Sequence, residues 1–121
     1  MGRSAIEVVF FGGTVFRDSQ VTVGVPVFQA LQMIRADWLI LGVCSVHPKI
    51  GLSVPDREES VIKRLMLERA CRTIVLADSH KLNTAERYII GSLDDIDYLI
   101  VKDGKITEVK DSFSGCNCVV L

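Results

Sequence analysis

Residues 71–81, CRTIVLADSHK, constrain the fold of the chain more than any other stretch. Thr73 to Ala77 is a short apolar run rich in Ile, Val and Leu, the pattern of a strand covered on both faces. It stops abruptly at Asp78-Ser79-His80-Lys81. In open parallel sheets, ligands bind in the crevice beyond the carboxyl ends of the strands. Asp78 and Lys81 put one acceptor and one donor on a single loop, enough to hold a hydroxyl and a phosphate. A solvated loop with an ion pair accounts for the same four residues.

A chain of 121 residues supports one domain with one core. No apolar run approaches the ~18 residues of a membrane span, so a soluble, cytoplasmic protein without membrane contact is expected. The 14 basic and 15 acidic residues are interspersed and leave a net charge of -1. That argues against nucleic-acid binding by these residues themselves, which needs clustered Lys and Arg. The cysteines are Cys44, Cys71, Cys116 and Cys118. With no C-x-x-C and no signal peptide, reduced thiols are expected, with no metal and no cofactor. Met1-Gly2 lacks the Ser or Thr that myristoylation wants, because Ile6 stands there. Cys118-Val119-Val120-Leu121 fits a prenylation box, but it fits a last buried strand as well.

In chain order, residues 6–11 read as a strand, and Gly12-Gly13 as a turn that lets a ligand approach the backbone. Residues 14–26 read as a connector in which VTVGV pairs as an edge. A short helix is expected from Val27 to Arg35, and a strand from Trp38 to Val43. That strand ends in a small-residue turn, Gly42 to Ser45. Residues 46–55, with His47, Pro48, Gly51 and Pro55, read as an irregular loop. Asp56 with Glu59 reads as a capping box opening the strongest helix, which runs towards Arg69 and Arg72. Residues 82–92 are ambiguous, with Tyr88-Ile89-Ile90 as a short extended piece. Ser92 caps a turn at 93–96, a strand covers 97–101, and Asp103-Gly104 turns. A helix covers 106–114, with Ile106, Val109 and Phe113 inward and Gly115 as C-cap. Cys116 to Leu121 is the last strand. Strand–helix–strand alternation predicts an α/β fold with a mainly parallel sheet and flanking helices.

Taken together, Gly12-Gly13, Ile40-Leu41-Gly42, Gly51-Leu52-Ser53, Pro55-Asp56-x-Glu58-Glu59, Val61-x-Lys63-Arg64-x-Met66, Asp78-Ser79-x-Lys81 and Ile96-Asp97-Tyr98-Leu99-Ile100 occur in one order. That order resembles the C-terminal effector-binding domain of DeoR-type transcriptional repressors, from about Ile6 to Leu121. The resemblance implies a ribose-5-phosphate-isomerase-like fold that senses a phosphorylated sugar and controls a separate DNA-binding module. It implies ligand contacts at Gly12, Gly13, Gly42, Cys44, Ser45, Glu59, Asp78 and Lys81, with Lys63 a further candidate. Measured against that family, residues 1–121 read as a single, partial sensor domain. The winged helix and the first strand with its phosphate loop are expected to lie outside it, so DNA would be reached only through a missing N-terminal domain. The family's Ala-Asp-Gly turn reads Val43-Cys44-Ser45 here.

Bland readings stand beside several of these. Glu59 with Lys63 makes an ordinary i,i+4 pair. His47 reads as a solvated loop histidine, and Cys44 as a space-filler. Two other functions stand as alternatives to the sensor. An aldose–ketose isomerase would need a carboxylate base at carbon, for which only Glu59 holds a matching position. A vestigial oligomerisation module would use the exposed edges of an incomplete sheet, and those edges predict a homo-oligomer in either case.

Overall fold

A computed structural model describes residues 14–15, 22–43, 45–102 and 106–121. The strand expected at 6–11, the Gly12-Gly13 turn, Cys44 and the Asp103-Gly104 turn lie outside the described residues. In chain order the elements are β1 (Thr14–Val15), β2 (Thr22–Val23), α1 (Val25–Gln32), β3 (Ala36–Gly42), β4 (Ser45–His47) and β5 (Gly51–Val54). They continue with α2 (Arg57–Arg69), β6 (Ala70–Asp78), β7 (Tyr88–Gly91), β8 (Tyr98–Lys102), α3 (Ile106–Ser112) and β9 (Val119–Val120).

The main sheet is four-stranded and parallel, in the order β3-β6-β8-β9. Its β6 strand is the apolar run of the sequence, extended to Ala70–Asp78. A small antiparallel sheet, β4-β5-β7, sits beside it, and β1 pairs with β2. This is the α/β class with a mainly parallel sheet and flanking helices.

The core lies on one face of the main sheet. Leu41, Val75, Ala77, Leu99, Val101 and Val120 point there. They meet Val46, Leu52 and Val54 of the small sheet and Val109 and Phe113 of α3, with Met66 and Leu67 of α2 packed against them. A second cluster, Val27 and Leu31 with Ile62 and Leu65, joins α1 to α2. The opposite face of the sheet is open. Trp38 (50% exposed), Ile40 (66%) and Leu76 (45%) lie on it, and the Arg72 guanidinium stacks 5.6 Å over the Trp38 ring. The expectation that β6 is covered on both faces is therefore corrected. Among the described residues no helix packs on that side, so Leu76 stays exposed between the buried Val75 and Ala77.

The largest departure is at residues 46–55. They form most of a hairpin, β4 with β5, and not an irregular loop. Pro48 suggested a break, but it falls in the turn. There His47 Nδ1 accepts the amides of Lys49 (3.1 Å) and Ile50 (3.2 Å). His47 is thus a turn-forming acceptor on a partly exposed side chain.

Smaller shifts have local causes. α1 starts at Val25, because Pro26 fits the first turn of a helix, and ends before Arg35. β3 is displaced to Ala36–Gly42. β8 begins at Tyr98, one residue after Asp97, whose carboxylate accepts the Thr73 amide at 2.8 Å. α3 ends at Ser112 and β9 is confined to Val119–Val120. Gly115 lies outside the left-handed region, so it does not serve as the glycine C-cap.

Candidate functional site

The carboxyl ends of β3 and β6 lie side by side, because the two strands pair in parallel with Gly42 opposite Leu76. Gly42 is the last residue of β3 and Asp78 the last of β6. Lys81 follows Asp78 in a single 3-10 turn, Ser79–Lys81. The expected residues Gly42, Ser45, Asp78 and Lys81 thus gather at one end of the sheet.

Helix α2 supplies the charged floor. Asp56 caps it by accepting the Glu59 amide at 3.2 Å. The reciprocal half of the expected capping box is missing, because the Glu59 side chain turns inward. Glu59 is only 2% exposed and Lys63 only 8%. Glu59 Oε1 lies 2.8 Å from Lys63 Nζ, and Lys63 Nζ donates to the Gly42 carbonyl at 2.7 Å. Glu59 Oε1 makes no hydrogen bond of good angle among the described residues, so its contact with Lys63 is chiefly ionic. Burying two charges costs several kcal/mol per ion unless they are paired. The pair therefore fixes α2 to the end of β3.

Ser45, the first residue of β4, is 2% exposed. Its hydroxyl lies 2.8 Å from Thr84 Oγ1, which donates to the Lys81 carbonyl at 2.7 Å. Leu82 bridges to Val46, and the Glu86 amide donates to Ser53 Oγ at 2.7 Å. The segment after Lys81 is thereby stitched to β4 and β5. Thr84 was missed by sequence reasoning. A lone threonine after an asparagine carries no signal until the fold brings it to Ser45.

Asp78 makes no side-chain cap on the 3-10 turn. Among the described residues the Glu59–Lys63 pair is the only salt bridge. Asp78 and Lys81 are thus not spent on one another, as the solvated ion-pair reading required. Gly12, Gly13 and Cys44 lie outside the described residues.

Of the described thiols, Cys118 is buried, Cys116 half-buried and Cys71 exposed. Burial pushes Cys116 and Cys118 above the usual thiol range, with the Asp94 carboxylate adding to both. Among the described residues no three His, Cys, Asp or Glu side chains converge as metal ligands, and no helix is long and apolar enough to cross a membrane.

A mainly parallel α/β sheet with flanking helices and polar loops at its carboxyl ends defines the α/β class of domain. The particular family follows from comparison with known proteins. The family model described as the DeoR C terminal sensor domain matches residues 1–103, and the chain belongs to that family. It is 32% identical over 100 residues to the HTH-type transcriptional regulator GlpR of Haloferax volcanii, covering 83% of this chain and 39% of that protein. It is 35% identical over 99 residues to a putative aga operon transcriptional repressor of Escherichia coli, covering 82% and 37%. It is 29% identical over 98 residues to the HTH-type transcriptional repressor GlcR of Bacillus subtilis, covering 81% and 38%. The chain spans about two fifths of the length of these curated relatives.

Proposed function

We propose that this domain is the effector sensor of a DeoR-type transcriptional regulator. It binds a phosphorylated sugar at the carboxyl ends of β3 and β6, and the bound state controls DNA binding by a separate helix-turn-helix module. In this reading Asp78 accepts from sugar hydroxyls, Lys81 faces the phosphate, and the bare backbone at Gly42 lets the sugar approach. Glu59 and Lys63 set the floor, and Ser45 ties the loop to β4 through Thr84. Gly12, Gly13 and Cys44 join the site on the family resemblance alone.

The observation that carries this reading is the convergence at the sheet end. Among the described residues the Asp78 carboxylate and the Lys81 ammonium share one loop without pairing to each other, and hydrogen bonds from Thr84 and Lys63 hold that loop and the end of β3. A binding role fits better than isomerase chemistry. Glu59, the carboxylate that the family resemblance matches to a base, is buried against Lys63, and the relatives of the chain are by name regulators.

The test is calorimetric titration of the full chain with glucose 6-phosphate, ribose 5-phosphate and fructose 6-phosphate, with inorganic phosphate as control. A hydrogen bond to a charged group is worth about 1.5–3 kcal/mol. Asp78→Ala and Lys81→Ala should therefore each weaken phosphosugar binding by about 10- to 100-fold. Unchanged affinity in both variants would sink the assignment. Turnover of a phosphosugar, abolished by Glu59→Gln, would favour the isomerase.

A further inference from the structure

The bonds around Thr84 can be assigned by counting protons. Thr84 Oγ1 lies 2.7 Å from the Lys81 carbonyl and 2.8 Å from Ser45 Oγ. A hydroxyl has one proton to donate, and a carbonyl only accepts. Thr84 must therefore give its proton to the Lys81 carbonyl. The Ser45–Thr84 bond then requires the Ser45 hydroxyl as donor. The chain runs in one direction, Ser45 to Thr84 to the Lys81 carbonyl.

Two consequences follow. The Ser45 proton is used up inside the protein, and Ser45 is 2% exposed, so it has no proton left to offer a ligand oxygen. The second concerns the loop. Asn83 stands at φ +59, the left-handed region, and is the only non-glycine residue with positive φ among those described. Asn tolerates that region better than most residues. The turn at Asn83 brings Thr84 back over the 3-10 turn, where its hydroxyl closes on the residue that carries the ammonium.

We infer that Ser45 and Thr84 form a hydroxyl latch that holds the Lys81 loop in its ligand-binding position. This rests on the effector reading of the site. Thr84 is a positioning residue that never touches the ligand. Ser45 acts through Thr84 and is not a direct contact.

The experiment compares Thr84→Val, Thr84→Ser and Ser45→Ala in the full chain, by amide hydrogen exchange over residues 79–84 and by titration with the same three phosphosugars. Thr84→Val keeps the shape but removes both bonds. It should speed exchange in that segment at least fivefold and weaken phosphosugar binding at least fivefold, with the exchange of β6 and β8 unchanged. Thr84→Ser should restore both. Ser45→Ala should do less than Thr84→Val in each readout, because Thr84 can still donate to the Lys81 carbonyl. Exchange unaltered in Thr84→Val overturns the latch. So does faster exchange with unaltered affinity, or a larger loss of affinity in Ser45→Ala than in Thr84→Val. If the unmodified chain binds none of the three sugars, the effector reading falls, and the exchange rates alone then judge the latch.

Discussion

At the scale of single residues, two glycines with similar sequence surroundings have opposite roles. Gly51 opens β5 at φ +98, and a Cβ there would run into the Gly91 carbonyl oxygen and sit 3.1 Å from the Ser92 Cα. Both obstacles are backbone and cannot swing aside. Gly51→Ala should lower stability by about 2–3 kcal/mol, the scale of a strained backbone position, read as a fall in the urea midpoint at unchanged slope. A Cβ on Gly42 would meet nothing within 4 Å among the described residues. Gly42→Ala should leave the midpoint nearly unchanged while weakening phosphosugar binding in the same titration. Equal stability losses in the two variants would show that Gly42 is a structural glycine. Both residues stood out in the sequence, but only the backbone angles and neighbours separate their roles.

Among the elements, α2 was the most readable, because its signals are local. Asp56 at the N-cap, Glu58 and Glu59 in the first turn and Arg69 in the last are all where the helix dipole favours them. Removing the cap with Asp56→Ala should cost about 1 kcal/mol, measurable as a lower thermal midpoint. No loss would mean that the Glu59 amide finds another acceptor. The direction of the Glu59 side chain was not readable. The Gly42 carbonyl, 21 residues before Lys63 in the chain, draws the Lys63 ammonium inward, and Glu59 follows to neutralise it. The β4–β5 hairpin was missed for a related reason. Pro48, Gly51 and Pro55 are loop signals taken one at a time. The strands between them form because Leu52 and Val54, with no exposed surface, are needed in the core and β7 closes the sheet from a distant part of the chain. The full capping box occurs at Ser92, where the Asp95 carboxylate returns the bond to the Ser92 amide at 2.9 Å.

For the molecule as a whole, the open face and the β3 edge are the features that bear on assembly. Parallel sheets are ordinarily covered on both sides, and unpaired edges tend to recruit another chain. Here β3 is the outermost strand of the described sheet, and Trp38, Ile40, Leu76 and Ile100 are exposed on its free face. Self-association of the 121-residue chain is the expected outcome. Light scattering should give a mass above that of the monomer, rising with concentration. A constant monomer mass over a hundredfold range of concentration would rule it out.

The sequence by itself determined the class of the fold, the apolar strand at its centre, the capped helix and the family. These follow from spacing, caps and motif order, all carried by residues close together in the chain. Tertiary structure decided the hairpin, the inward turn of the Glu59–Lys63 pair, the open sheet face and the part played by Thr84. Each depends on residues distant in sequence meeting in space, where burial forces charges to pair and hydroxyl protons to find acceptors. No local pattern encodes which partner that will be.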